Sequence, residues 1–331
     1  MNVLRERSDP SAETRRPIVS VCVLVWNHLR YVRRTLESVL AQADDVIIEI
    51  IVGDDCSDDG SSEIVAAFAA AHPGLLVHVR HQQRLGGSEN YLDTLSRARG
   101  RYIAHLDGDD YWLPGKLRRQ VEFLEAHCDC AAVYTNALTI TETGDAIGLF
   151  NDAPPRPVDL ACLLRRGNFF NTSSMMFRSE LRQAILDLGA PLLDYTIHLR
   201  LAQAGFLMQL EEPLVAYRVN SSSSILAQRN DEVRALYWDA ILRIPRALVT
   251  DRDFAMGVAD FLCRVTLRSI RCRRLDLLRA WAPRVFTASP FGRVRTTLLV
   301  GRSVTTTLAV RVIAFLWRGL DRRRKKILYR Y

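Results

Sequence analysis

The chain has 331 residues, 48% of them hydrophobic and 25% charged, which excludes a disordered or collagen-like chain and leaves room for one large core or one domain plus an appendage. The net charge of +8 is unevenly spread: 23 Lys+Arg stand against 30 Asp+Glu before Glu232, and 22 against 7 from there on. An acidic front and a basic rear imply different partners for the two regions. Seven cysteines at irregular spacing, with no paired CxxC knuckles, read as reduced thiols packed as small hydrophobes.

Residues 1–16 are polar and carry no apolar signal core, so the expectation is a frayed, unprocessed start and a cytoplasmic protein. Ile18 to Val25 is a continuous β-branched run, as a strand buried on both faces requires. Residues 29–42 place Leu29, Val32, Leu36, Val39 and Leu40 at helical spacing. A second buried strand, Val46 to Val52, ends in the acidic turn GDDCSDDG at 53–60. Ser62 to Ala71 reads as a helix stopped by Pro73-Gly74, and Leu75 to Arg80 as a third strand. A helix over Ser88 to Arg99, closed by Gly100, leads to a fourth strand, Arg101 to Leu106. Pro114 starts a helix over 115–127, and Ala131 to Leu138 is a further strand. Beyond a Pro-rich loop at 151–168, helices are expected at Ser179 to Leu188 and Asp194 to Gly205. Two short strands are expected around Glu211-Glu212-Pro213, and everything after the SSSS at 221–224 reads as helical and Arg-rich.

Strands alternating with helices over short loops specify a parallel sheet covered on both faces, and such sheets bind ligands at the carboxyl ends of their strands. Two acidic loops fall at such ends. One is 53–60. The other is HLDGDDYW at 105–112, which crowds Asp107, Asp109 and Asp110 into four positions. Carboxylates this close repel and raise one another's pKa, and a divalent cation such as Mg²⁺ or Mn²⁺ is the natural counter-charge for hard oxygen ligands. Arg302 and Arg311 interrupt the apolar stretch 293–320, so no segment there is long enough to span a bilayer. Two readings remain: an interfacial helix with a polybasic flank, DRRRKK, or an amphipathic helix packed on the protein's own core.

From about Pro17 to Asn220 the chain resembles the family 2 glycosyltransferases of the GT-A fold. The resemblance is carried in order by VLVWN (23–27), VGDDCSDDG (52–60), LGGSENYLDTLSRARGRYIAHLDGDD (85–110), NFFNTSSMMFR (168–178) and DYTIHLRLAQAG (194–205). It implies an α/β fold of the nucleotide-diphospho-sugar transferase type, a Rossmann-like mixed sheet flanked by helices. The divisions expected are a flexible 1–16, a catalytic domain over 17–225 and a helical basic extension over 226–331.

The resemblance also implies roles. Asp109 would ligate a divalent metal (Mn²⁺ or Mg²⁺), with Asp107 touching metal-bound water or ribose. Asp110 ranks below them, as a carboxylate at the start of the next helix. Asp55, with Asp54 beside it, would contact the nucleobase, which Trp26 would stack upon next to Asn27; Gly86 would let the backbone pass close to the nucleotide. Asp194 would be the general base of an inverting displacement, and its place at a helix start favours the ionised form. Arg218 would reach a phosphate. Asn220 stands where the family often has a metal- or diphosphate-holding His. Asp58 and Asp59 read as a solvated turn, and His105 and His198 as packed histidines.

The expected partners are a nucleotide-diphosphate sugar, a lipid-linked or polysaccharide acceptor, and an anionic membrane at its inner, cytosolic face. Nucleic acid is not expected, because the sheet portion is net acidic. The alternative is a catalytically degenerate nucleotide-sugar binder acting as a membrane scaffold.

Overall fold

The structure is a computed structural model that describes residues 18–219, 230–320 and 326–329. These form one 11-stranded mixed sheet with helices on its faces. Its first strands are β1 (Val19–Val25), β2 (Ile48–Asp54), β3 (Leu76–Arg80) and β4 (Tyr102–Asp107). They lie parallel in the order β3-β2-β1-β4. The runs of Val and Ile that mark β1 and β2 are buried because helices cover both faces. Three helices make the crossovers: α1 (Val32–Leu40), α2 (Ser61–Ala71) and α3 (Gly87–Ser96).

Register places the functional rim. Val25 pairs with Asp54 across β1–β2, and Leu24 with Asp107 across β1–β4, so both acidic loops leave the sheet at the same level. Gly108 bends the chain there. A Cβ on it would meet His28 Nδ1 at 2.5 Å and the Leu24 carbonyl oxygen at 2.7 Å.

The second half of the sheet departs from the parallel pattern. β5 (Tyr111–Trp112) and α4 (Lys116–Ala126) lead into β6 (Cys130–Ile140). β7 (Ala146–Asn151) pairs antiparallel with β6, a strand that the sequence reading does not contain. β8 (Pro157–Val158) and α5 (Leu160–Arg166) follow. β9 (Met176–Arg178) wedges antiparallel between β4 and β6. The helix expected from Ser179 shrinks to a 3₁₀ turn plus α6 (Arg182–Leu186), and α7 covers Asp194–Leu201.

Two expectations need correcting. Phe206 to Arg218 is a single strand, β10, parallel to β6. The Glu-Glu-Pro stretch is absorbed as register shifts between Leu210 and Val215, because Pro213 cannot donate to the ladder. The rear is also not wholly helical. After α8 (Asn230–Leu242), α9 (Asp251–Cys272), α10 (Leu275–Ala288) and α11 (Arg293–Leu320), a strand β11 (Lys326–Tyr329) adds parallel to β7.

The rear helices share a core with the sheet. Trp238, Ile241, Phe254, Phe261 and Trp281 belong to the same apolar cluster as Leu163, Phe170 and Tyr195. Tyr237 stacks on Tyr195 with ring centroids 4.1 Å apart, and its hydroxyl accepts from the Asn168 N–H at 3.0 Å.

Candidate active site

The rim at the ends of β1, β2 and β4 gathers most of the predicted residues. Asn27 takes a left-handed backbone (φ 55°). Its N–H donates to Ser57 Oγ, and its side chain exchanges hydrogen bonds with Asp58, donating to the carboxylate at 2.8 Å and accepting from the backbone N–H at 3.0 Å. Asp59 accepts from the Leu29 N–H at 2.9 Å. Asp58 and Asp59 thus fasten the acidic loop to the end of β1.

Asp54 and Asp55, adjacent in sequence, point to different places. Asp54 is fully buried: one oxygen accepts from the Ser57 N–H at 2.9 Å, and the other meets Ser62 Oγ and His78 Nε2. Burial pushes its pKa up, but these donors outweigh it and hold the carboxyl far below the usual range. Asp55 accepts from the Leu85 N–H at 2.6 Å and the Gly86 N–H at 3.0 Å. Gly86 sits at φ 95°, a conformation open to glycine, so it lets the loop after β3 turn back onto Asp55. On that loop the Arg84 guanidinium lies 3.4 Å from the Trp26 ring centroid, with Nε 3.9 Å from the Asp55 carboxylate. Trp26, Asp55, Arg84 and Gly86 therefore meet at one corner of the rim.

Asp107 lies half-buried at the end of β4. His105 Nε2 donates to its Oδ1 at 3.1 Å, and Ser173 Oγ lies 3.2 Å from its Oδ2. Burial raises its pKa; the His105 charge and hydrogen bond and the Ser173 hydroxyl more than cancel this and leave it below the ordinary value. Ser173 Oγ also lies 2.6 Å from Asp110 Oδ2. Asp110 is buried and accepts from the Arg218 N–H at 2.8 Å. Burial, then the charges of Asp109 and Asp107, raises it well above the carboxylate range. Asp110 is therefore a brace for the loop, held from β10. Thr35 Oγ1 adds a second brace through the Gly108 and Asp110 carbonyls, at 2.9 and 2.7 Å.

Arg218 does not take the place its sequence position suggests. Its guanidinium donates to the carbonyls of Asp109 (3.0 Å), Thr141 and Glu142 (both 2.7 Å) and lies over Tyr31. It is a buried clamp on the acidic loop. Asn220 lies outside the described residues.

Asp194 opens α7 with its side chain exposed. Against the stabilised carboxylate that the helix start predicts, partial loss of water on the protein side, then the Asp107 charge, raises its pKa above the usual value. His198, one turn along, is buried with Nδ1 3.1 Å from Asn168 Oδ1, and burial, then the His105 charge, pushes its pKa down to about 3. It is a neutral packed histidine. Sequence reading set His105 aside as a packed histidine, though it sits two residues from Asp107 on one strand face, and missed Ser173 and Arg84, whose partners lie far away in sequence.

Among the described residues no three His, Cys, Asp or Glu side chains form a metal cage. Asp109 and Asp107 fit a hard cation that takes one or two carboxylates and completes its shell with water and phosphate oxygens, as Mg²⁺ does.

Residues 20–184 match the model of a family described as glycosyl transferase family 2. The chain is 31% identical over 222 residues to "Putative glycosyltransferase EpsE" of Bacillus subtilis, covering 65% of this chain and 77% of EpsE. The chain belongs to glycosyl transferase family 2. This family 2 chain is also 32% identical over 205 residues, 60% of its length, to an uncharacterised protein of Mycobacterium tuberculosis, and it spans 58% of that relative's length. Its fold is similar to S. aureus TarS 1-349 solved with UDP-GlcNAc, with TM-score 0.65, 18% identity, and 85% and 83% of the two chains covered. It is also similar to the mannosyltransferase PcManGT of Pyrobaculum calidifontis solved with GDP-Man and Mn²⁺, with TM-score 0.50, 20% identity, and 94% and 89% covered. These likenesses establish the GT-A fold.

Proposed function

We propose that this family 2 chain is an inverting, metal-assisted glycosyltransferase. It moves a sugar from a nucleotide-diphosphate donor to a hydroxyl of a lipid-linked or polysaccharide acceptor. The observation that supports the reading is the register of β1, β2 and β4, which brings Trp26, Asp55 and the Asp107–Asp109 loop to one rim, with Asp194 at the start of α7 close enough to feel the Asp107 charge. The solved neighbours, with UDP-GlcNAc in one and GDP-Man and Mn²⁺ in the other, support a nucleotide-sugar donor.

The base seats at this corner of the rim, stacking on Trp26 once Arg84 gives up the ring face it covers, with Asp55 and the loop at Gly86 at its edge. The diphosphate then runs toward Asp107 and Asp109. Asp109 and Asp107 would hold a divalent cation, which would supply neutralisation of charge on the departing diphosphate. The acceptor oxygen bonds to the anomeric carbon as the bond from that carbon to the diphosphate oxygen breaks, and the hydroxyl proton passes to the Asp194 carboxylate. A raised pKa suits Asp194 to this role, since a stronger base accepts the proton more readily. A lipid-linked acceptor implies work at the face of a membrane.

Calorimetric titration of UDP, dTDP and GDP with and without Mn²⁺ tests the donor site. One nucleotide should bind with metal dependence, and Asp109→Ala should abolish that dependence. Asp194→Asn should keep the nucleotide affinity and lower transfer at least a hundredfold, within the usual range of general-base catalysis, about 10²–10⁴. Near-normal transfer by Asp194→Asn would remove the base assignment.

A further inference from the structure

We propose that α11 (Arg293–Leu320) is an interfacial helix that docks the protein on an anionic lipid bilayer. On this helix Val294, Leu298, Gly301, Thr305, Leu308 and Val312 recur at steps of four, three, four, three and four residues, which places them on one stripe. The stripe faces outward. Val294 is 78% exposed, Leu298 68%, Leu308 46% and Val312 56%.

The opposite side of the helix is the one that packs. Thr296 is buried, Thr307 Oγ1 lies 3.9 Å from Cys263 Sγ on α9, and α11 lies along α9. An amphipathic helix that served only its own core would turn Leu298 and Leu308 inward. Here the core side is lined by Thr296, Val300, Ser303 and Thr307, while Val294, Leu298, Leu308 and Val312 face solvent.

Charge selects the occupant. The 28 residues of α11 contain five arginines and no Asp or Glu. At about 100° per residue, Arg295 and Arg302 flank the stripe on one side and Arg293 on the other. All three are exposed, and none pairs with a carboxylate among the described residues. An apolar stripe between rows of arginine matches a headgroup boundary. The aliphatic side chains enter about 5–10 Å, and the guanidinium groups meet lipid phosphates from above. A second copy of this chain would bring its own arginines against these, a like-charge contact that opposes pairing. Among the described residues no helix is long and apolar enough to cross a membrane, so the docking is peripheral.

The test is co-sedimentation of the full chain with vesicles of phosphatidylcholine alone and of phosphatidylcholine mixed with phosphatidylglycerol. The protein should pellet with the anionic vesicles, less so as salt rises. Leu298→Asp with Leu308→Asp should lower the bound fraction at least tenfold, and Arg295→Glu with Arg302→Glu should lower it on the anionic vesicles. Both variants should keep the wild-type melting temperature and nucleotide binding, because these positions are exposed and distant in sequence from the catalytic rim. Two results would overturn the proposal: wild-type protein that stays in the supernatant with both vesicle types, or a light-scattering dimer that Leu298→Asp with Leu308→Asp converts to monomer while vesicle binding is unchanged. Failure of nucleotide binding in the wild-type protein would count against the transfer reaction and leave the vesicle result standing on its own.

Discussion

Asp194 and Asp54 are both aspartates at strand or helix ends, and the structure drives their pKa values in opposite directions. The protein around Asp194, then the Asp107 charge, raises its pKa. The acidic limb of kcat/KM, which follows ionisation of the base, should therefore lie above the ordinary carboxylate range, read from a pH–rate profile. Asp54 has the reverse situation, with Ser57, Ser62 and His78 all holding its ionised form. Its folded pKa lies below the unfolded value of about 3.9, so its contribution is complete above that value and is lost as pH falls through the folded one. Asp54→Ala should cost about 3 kcal/mol at neutral pH by denaturant melting and progressively less in acid. Asp44→Ala, on an exposed turn, should stay within about 0.5 kcal/mol.

At the scale of elements, the acidic loop after β4 is held from three directions: Thr35 on α1, Ser173 beside β9, and Arg218 at the end of β10. None of these neighbours is near it in sequence. Gly108 is the point where the loop has no slack, since a methyl group there meets the Leu24 backbone and the His28 ring. Gly108→Ala should cost about 1–3 kcal/mol of stability, in the usual range for overpacking. It should weaken metal-dependent nucleotide binding more than metal-free binding, because displacement falls on Asp107 and Asp109. Titration calorimetry against melting separates the two effects. Sequence reading placed β1 to β4 and their helices within a few residues because hydrophobic periodicity and Gly/Pro stops are local signals. It split β10 in two at Pro213, where pairing with β6 carries the strand across its irregularity. It missed β7 and the edge strand β11, whose stability comes from partner strands.

For the whole molecule, the rear helices are bound to the catalytic half by one aromatic cluster. Phe261 packs against Trp238 and Trp281, with ring centroids 4.9 and 5.1 Å apart, and that cluster continues to Tyr195 on the helix of the candidate base. Phe261→Ala should cost about 3–5 kcal/mol. Because the core is continuous, the loss should appear as a lower midpoint in a single thermal transition by calorimetry. Two separate transitions would show that the rear helices fold independently. The acidic front and basic rear thus share a core while presenting different surfaces.

The succession of strands and helices along the front half, the acid-rich loops at the strand ends and the family were legible in the chain alone, because period, turn residues and short motifs are written in consecutive positions. The same positions left Asp54, Asp55 and Arg218 looking alike as candidate contacts for a nucleotide. Only the tertiary structure separated them: Asp54 inward to a histidine and a serine, Asp55 onto the loop at Gly86, and Arg218 onto three carbonyls. Burial and hydrogen-bond partners decide what a charged side chain does, and those partners came from up to 109 positions away, brought together by sheet register and helix packing. The outward turn of Leu298 and Leu308 was settled in the same way, by which side of α11 met α9.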